Sequence, residues 1–190
     1  MRKTVIIAAK RTPIGSFQGS LANLSAVDLG ARVIKDILQT TNLEPANVDE
    51  VIMGNVISSG LGQAPARQAA IFAGLPEKTE CLTINKMCGS GLKSVMLAHQ
   101  AISCGDADVV IAGGMESMSN APYIMQNARN GYRLGNGTIY DSLIKDGLWD
   151  VYNNIHMGSC AEVCAKDFNI TRNDADSFAI SSYKNALSAI

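Results

Sequence analysis

Strand-like and helix-like segments alternate over residues 4–115, which predicts an α/β fold with a largely parallel sheet. Three observations carry this. Short β-branched apolar runs are bounded by turn residues. Apolar residues recur at helical spacing between those runs. Gly or Pro punctuates the changes of type. Taken in order, Thr4–Ala9 is apolar and bounded by Lys10-Arg11-Thr12-Pro13, and is expected as a first buried strand. Ser25-Ala26-Val27-Asp28 has the form of a capping box. The helix it opens carries Leu29, Val33, Ile34, Ile37 and Leu38. Val48–Ile57 returns to strand chemistry. Pro65 suits the first turn of a short helix through Ala73, closed by Gly74. Cys81–Asn85 is the next strand, Leu92–Ser103 a helix ending at Gly105, and Asp108–Ala112 a strand before Gly113-Gly114. Leu92, Val95, Met96, Leu97, Ala98 and Ile102 make the second long helix apolar around most of its surface. That predicts a central helix buried on several sides within a layered sandwich.

The texture changes after about residue 119. Residues 120–150 hold Pro122 and the turn-rich Asn130–Gly137, long for a connection inside a compact domain; such loops usually bind or assemble something. Two helices follow, with capping boxes expected at Ser159-Cys160-Ala161-Glu162 and Thr171-Arg172-Asn173-Asp174. The last is still running at residues 186–190 without a stop signal, so a longer protein is expected. The domain reading is therefore 1–119 as an α/β domain and 120–190 as the beginning of a second region.

The 190 residues are 47% hydrophobic and 17% charged, enough for a core and unlike a disordered chain. Sixteen Lys+Arg against seventeen Asp+Glu give a net charge of −1, which excludes bulk attraction to nucleic acid or to an anionic membrane. No apolar run is long enough for a bilayer, and the N-terminus lacks the apolar stretch and cleavage site of a signal peptide. A cytoplasmic protein is expected, or a mature organellar form. Five cysteines (81, 88, 104, 160 and 164) without secretory context read as free thiols.

The strongest chemical signal is Asn85-Lys86-Met87-Cys88-Gly89-Ser90-Gly91-Leu92, in which a strand runs into a cysteine, two glycines and an apolar helix. A helix start presents unpaired N–H groups and positive potential that favour a thiolate. The glycines let a substrate carbonyl approach the backbone, whose N–H groups then serve as an oxyanion hole. The competing reading is a small inert cysteine at a tight turn. Any histidine chemistry must use His99 or His156. His99, in the apolar helix, reads as a hydrogen-bonded structural residue. His156 lies in a loop beside glycine, where functional residues concentrate. His156, Cys160 and Cys164 are four apart and could line one helix face as metal ligands, but no fourth ligand is evident, and no metal is assigned. Gly113–Ser117 could shape a binding loop but lacks a phosphate-binding fingerprint. Arg67 and Gln68 remain undecided.

Together, Ala8–Gly15, Gln63–Gln68, Asn85–Leu92, Gly113–Ser119 and His156-Met157-Gly158 resemble the thiolase family, in order and over essentially the whole chain. The His156-Met157-Gly158 triplet is similar to the short-chain, acetoacetyl-CoA type. The resemblance implies the thiolase-like layered fold: an N-terminal half with a mixed, mostly parallel sheet and a buried central helix, followed by the start of a loop domain. It implies acyl transfer between CoA thioesters, with Cys88 as nucleophile and its N–H holding the thioester oxygen. His156 and Met157 would shape the acyl and pantetheine pocket. Coenzyme A thioesters (acetyl-CoA, acetoacetyl-CoA) would be substrates rather than cofactors. Residues 120–140 would correspond to a tetramerisation loop, in a homodimer or homotetramer. The family's second half supplies the histidine that activates the nucleophile, a proton-moving second cysteine and a water-positioning asparagine, none of which can be placed within residues 1–190. These residues alone are accordingly expected to be inactive. The alternatives are a longer-chain 3-ketoacyl-CoA thiolase, or a non-catalytic fragment that only associates with partner subunits.

Overall fold

The computed structural model describes residues 2–189 and divides into two compact units, Met1–Gly147 and Leu148–Ile190. In the first, three parallel strands form a sheet in the order β2-β1-β3: β1 (Glu50–Gly54), β2 (Glu80–Ile84) and β3 (Val110–Gly114). The register aligns their carboxyl ends, with Gly54 opposite both Ile84 and Gly114. The α/β expectation holds, and the strands expected at 48–57, 81–85 and 108–112 are these three.

Helix α1 (Ala26–Thr41) begins at the Ser25–Asp28 capping box, complete in both directions. It buries Ala26, Val27, Ala31, Ile34 and Leu38 against α2 (Pro65–Phe72) and the sheet. Proline at the first position of α2 costs no hydrogen bond, because that N–H would be unpaired anyway. Gly74, at φ +97°, sits just past the helix, where a side chain would be strained. The core is assembled from alanines of α2, branched side chains of α1 and β1, and Met115.

Two expectations are corrected here. Thr4–Ala9 is not a strand. It has no ladder partner among the described residues, and Val5, Ile6 and Ile7 are exposed. Side chains tether the segment instead: Arg2 to Asp108, Thr4 to His99, and Lys10 to Asp36 at 3.0 Å. Strand preference is realised only where an edge offers a register, and this segment instead flanks an open apolar groove of about 790 Å³ with α1, β3 and the helix that follows β2. The second correction concerns α3 (Ser90–Cys104). Only its Ser90, Ser94 and Ala98 face is buried, while Leu92, Val95 and Met96 are exposed. Within residues 2–189 the helix is covered on one side, not several.

The first unit ends with an antiparallel hairpin, β4 (Tyr123–Met125) and β5 (Ile139–Asp141). The second unit contains a short hairpin, β6 (Trp149–Asp150) and β7 (Ile155–His156), then α4 (Met157–Asp167) and α5 (Arg172–Ala189). The cap expected at Ser159 is not used. The helix starts earlier because His156 is extended and its ring Nδ1 accepts the Gly158 N–H at 3.0 Å. The Thr171–Asp174 box forms as expected. Among the described residues no helix is long and apolar enough to cross a membrane.

Candidate active site

Cys88 lies in the turn between β2 and α3, at the carboxyl end of the parallel sheet, and is exposed. Met87, just before it, has φ +49°, a left-handed conformation that side-chain-bearing residues rarely adopt. The strand therefore reverses sharply into the helix and leaves Cys88 at the crest. Ser90 ties the turn: its Oγ accepts the Lys86 N–H at 2.8 Å and donates to Met87 O at 2.6 Å. The Gly89 and Ser90 amides donate to Lys86 O and Met87 O at 3.1 and 3.0 Å.

Glycines let this turn approach the sheet. A Cβ on Gly54 would lie 2.5 Å from Ser90 Cβ and 2.8 Å from Gly91 N. A Cβ on Gly114 would lie 3.3 Å from Gly91 Cα. Ser94 pins the next turn of α3 to the sheet, its Oγ lying 2.7 Å from Gly113 O and 2.6 Å from Gly91 O. A helix N-terminus is thereby held at the strand ends beside an exposed thiol.

The loop after β3 contributes Glu116, from the Gly113–Ser117 segment that carries no specific motif. Its carboxylate accepts Asn55 Nδ2 at 2.9 Å, Val56 N at 2.9 Å and Ile57 N at 3.1 Å. Asn55 is 2% exposed and also donates to Met115 O at 3.1 Å. A polar pair 61 residues apart in sequence carries no local signal, so only the fold reveals it.

The other candidates separate clearly. His99 is an exposed helix-edge residue, its Nδ1 2.9 Å from Thr4 Oγ1, in line with the structural reading. Arg67 reaches Glu77 O at 3.1 Å, and Gln68 reaches Leu61 O and Gln63 O at 2.8 and 2.7 Å. Both residues therefore brace a loop. In the second unit, His156 accepts the Gly158 N–H through Nδ1, so a neutral ring carries its proton on Nε2. Met157 follows as the first residue of α4 and is partly exposed. Asp150 is held below the usual carboxylate range, first by the Asn153 side-chain amide and then by the Tyr152 N–H. The Cys160 thiol is raised by desolvation and by the neighbouring Asp150 charge. His156, Cys160 and Cys164 do not form a metal-binding group, and no cluster of three or more such side chains does so among the described residues.

A sequence profile described as thiolase, N-terminal domain, matches residues 4–190. The chain belongs to the thiolase family. Over 190 residues it is 54% identical to an acetyl-CoA acetyltransferase of Pseudomonas aeruginosa, covering all of this chain and 48% of that protein. It is 52% identical to acetyl-CoA acetyltransferase 2 of Arabidopsis thaliana over 188 residues, 99% of this chain and 47% of the relative. The human mitochondrial acetyl-CoA acetyltransferase is 51% identical over 189 residues, covering all of this chain and 44% of the relative. This thiolase N-terminal region thus spans about half the length of the curated relatives it matches.

Proposed function

We propose that the protein containing this chain transfers acyl groups between coenzyme A thioesters, condensing two acetyl-CoA to acetoacetyl-CoA and running the reverse thiolysis. The observation that carries the reading is the Cys88 elbow: an exposed thiol at the start of α3, on a turn strained at Met87 and braced by Ser90. The names of the relatives agree with it.

The Cys88 thiolate attacks the acetyl-CoA carbonyl carbon and forms a C–S bond. The tetrahedral oxyanion collapses with cleavage of the C–S bond to coenzyme A, which leaves as a thiol after taking up one proton. The acetyl-enzyme remains. A second acetyl-CoA loses an α-proton to a base, and its carbanion attacks the acetyl-enzyme. A C–C bond forms, the second tetrahedral oxyanion collapses with cleavage of the C–S bond to Cys88, and acetoacetyl-CoA departs, leaving the Cys88 thiolate that began the cycle. The backbone N–H of Cys88 would hold the thioester oxygen, stabilising charge that develops in the transition state. His156 and Met157 would shape the acyl and pantetheine pocket, with the His156 Nε2–H as the donor its capping bond leaves available. Residues 120–190 would begin the loop domain, and the β4–β5 hairpin would contribute to assembly in a homodimer or homotetramer.

The test is peptide mapping of the protein after incubation with acetyl-CoA, with and without the Cys88→Ser substitution. An acetyl group on the Cys88 peptide of the unsubstituted protein, together with loss of acetoacetyl-CoA thiolysis in Cys88→Ser, is the expected result. Unchanged turnover in Cys88→Ser would refute the reading. Comparing acetoacetyl-CoA with a longer 3-ketoacyl-CoA then sets the chain length.

A further inference from the structure

The loops after the three strands are joined by one continuous set of polar contacts. Glu116, after β3, takes three N–H donors from Asn55, Val56 and Ile57, after β1. That clamped loop is bound in turn to the loop after β2. The Asn55 N–H donates to Ile84 O at 3.0 Å, and Asn85 Nδ2 donates to Val56 O at 3.4 Å. Asn85 Oδ1 then accepts the Met87 N–H at 2.9 Å. Met87 is the left-handed residue next to Cys88. A strained residue of that kind persists only where its surroundings over-determine it. Glu116 has no ion-pair partner among the described residues, and its two oxygens are spent on three donors. It is therefore built to hold a loop and not to move a proton.

We propose that Glu116 and Asn85 are positioning residues for Cys88: the Glu116 carboxylate fixes Val56, and Asn85 transmits that fixed position to the Met87–Cys88 turn. The role rests on the reading of Cys88 as nucleophile, since a turn that only packed would not need its crest fixed.

Amide hydrogen exchange read by mass spectrometry, on the protein at the length the cell makes it, tests this. Asn85→Ala is expected to speed exchange over residues 85–90 by about tenfold, the effect of one lost hydrogen bond at a locally opening site. Glu116→Gln turns one acceptor oxygen into a donor facing amide N–H groups, and is expected to speed exchange over both 55–57 and 85–90. In both variants the peptide over α1 keeps its exchange rate. The double variant exchanges over 85–90 no faster than Asn85→Ala alone, because the two residues act through the same bonds. The proposal is overturned if 85–90 is unchanged in Glu116→Gln, if the two effects multiply, or if α1 accelerates equally. Asn85 is exposed, so its variant loses no core contact; should Glu116→Gln not fold, unchanged exchange over 85–90 in Asn85→Ala overturns the proposal by itself. Cys88→Ser touches none of these bonds. If it stays active while the exchange pattern is as stated, the nucleophile reading fails and the positioning does not; the converse pattern separates the opposite failure.

Discussion

Gly54→Ala and Gly113→Ala are the same chemical change at neighbouring positions of one sheet, and the structure separates them sharply. A methyl on Gly54 would sit 2.5 Å from Ser90 Cβ, 2.7 Å from Ser90 C and 2.8 Å from Gly91 N. Ordinary carbon contacts lie at about 3.5–4.0 Å, so the start of α3 must retreat by roughly 1 Å. Two of the three obstructing atoms are backbone and cannot rotate away. The cost therefore falls at the upper end of the overpacking range, about 3 kcal/mol. For a chain of this size that lowers Tm by about 6–12 °C. A methyl on Gly113 meets only Met53 Sδ at 3.7 Å and Cε at 3.9 Å, ordinary contacts. Its effect stays within about 0.5 kcal/mol. Circular-dichroism melts of the two variants, with acetylation of Cys88 followed in parallel, give the comparison. Gly54→Ala should also slow acetylation, because it displaces the turn that holds the thiol. Equal melting temperatures for the two variants would refute the argument that α3 is seated directly on the strand ends.

Ser90→Ala leaves the Lys86 N–H and the Met87 carbonyl without their hydroxyl partner, and should cost about 1–3 kcal/mol in a denaturant titration, with slower Cys88 acetylation. Glu50 is raised above the usual carboxylate range, first by burial and then by the Glu80 charge beside it in register. A raised carboxylate contributes stability below its unfolded pKa and loses it as pH rises through the folded value. Glu50→Gln should therefore raise Tm at neutral and alkaline pH, with the gain vanishing in acid; a gain that persists unchanged in acid would contradict this. Asp28 shows the opposite sign: the Ser25 hydroxyl, then the Ser25 N–H, hold it below the usual range. Asp28→Asn should lower Tm at neutral pH, and the loss should disappear as acid protonates the wild-type carboxylate.

What was legible in the sequence is what chemistry writes locally. Ser25 and Asp28 are three residues apart and cap each other, so their pattern is visible in four letters. Cys88 between a strand and Gly89-Ser90-Gly91 is likewise a local statement, and the turn forms where it was expected. The errors arise where the outcome depends on a distant partner. Thr4–Ala9 has strand composition, yet pairing requires an edge in register, and none is engaged among the described residues. The apolar surface of α3 signals burial, but only its small-residue face meets the sheet within residues 2–189. The cap of α4 lies at His156, three residues before the Ser159 box, because the histidine ring nitrogen accepts the N–H although histidine is not among the usual capping residues. Glu116 and Asn55 could not be paired by any spacing rule, since the fold alone brings their loops together.

The same distinction bears on where the reaction must find its base. A nucleophilic cysteine needs a group within hydrogen-bond reach to take its proton. His99 is the histidine on the helix that Cys88 precedes, but it lies nine residues along α3 from Ser90, roughly 14 Å at 1.5 Å per residue. Its Nδ1 is 2.9 Å from Thr4 Oγ1, so the ring is tied to the N-terminal segment. Glu116 is committed to three N–H donors and Ser90 to the turn itself. On the proposed reading of Cys88 as nucleophile, none of His99, Glu116 and Ser90 is placed to take its proton, and the base would come from elsewhere in the complete protein. His99→Gln should then leave turnover of the complete enzyme within about twofold, since no catalytic contact is lost. Residues 1–190 produced alone should fail to condense acetyl-CoA while keeping the turn that presents Cys88. A full condensation rate from residues 1–190 would show that a base for Cys88 exists within this stretch after all.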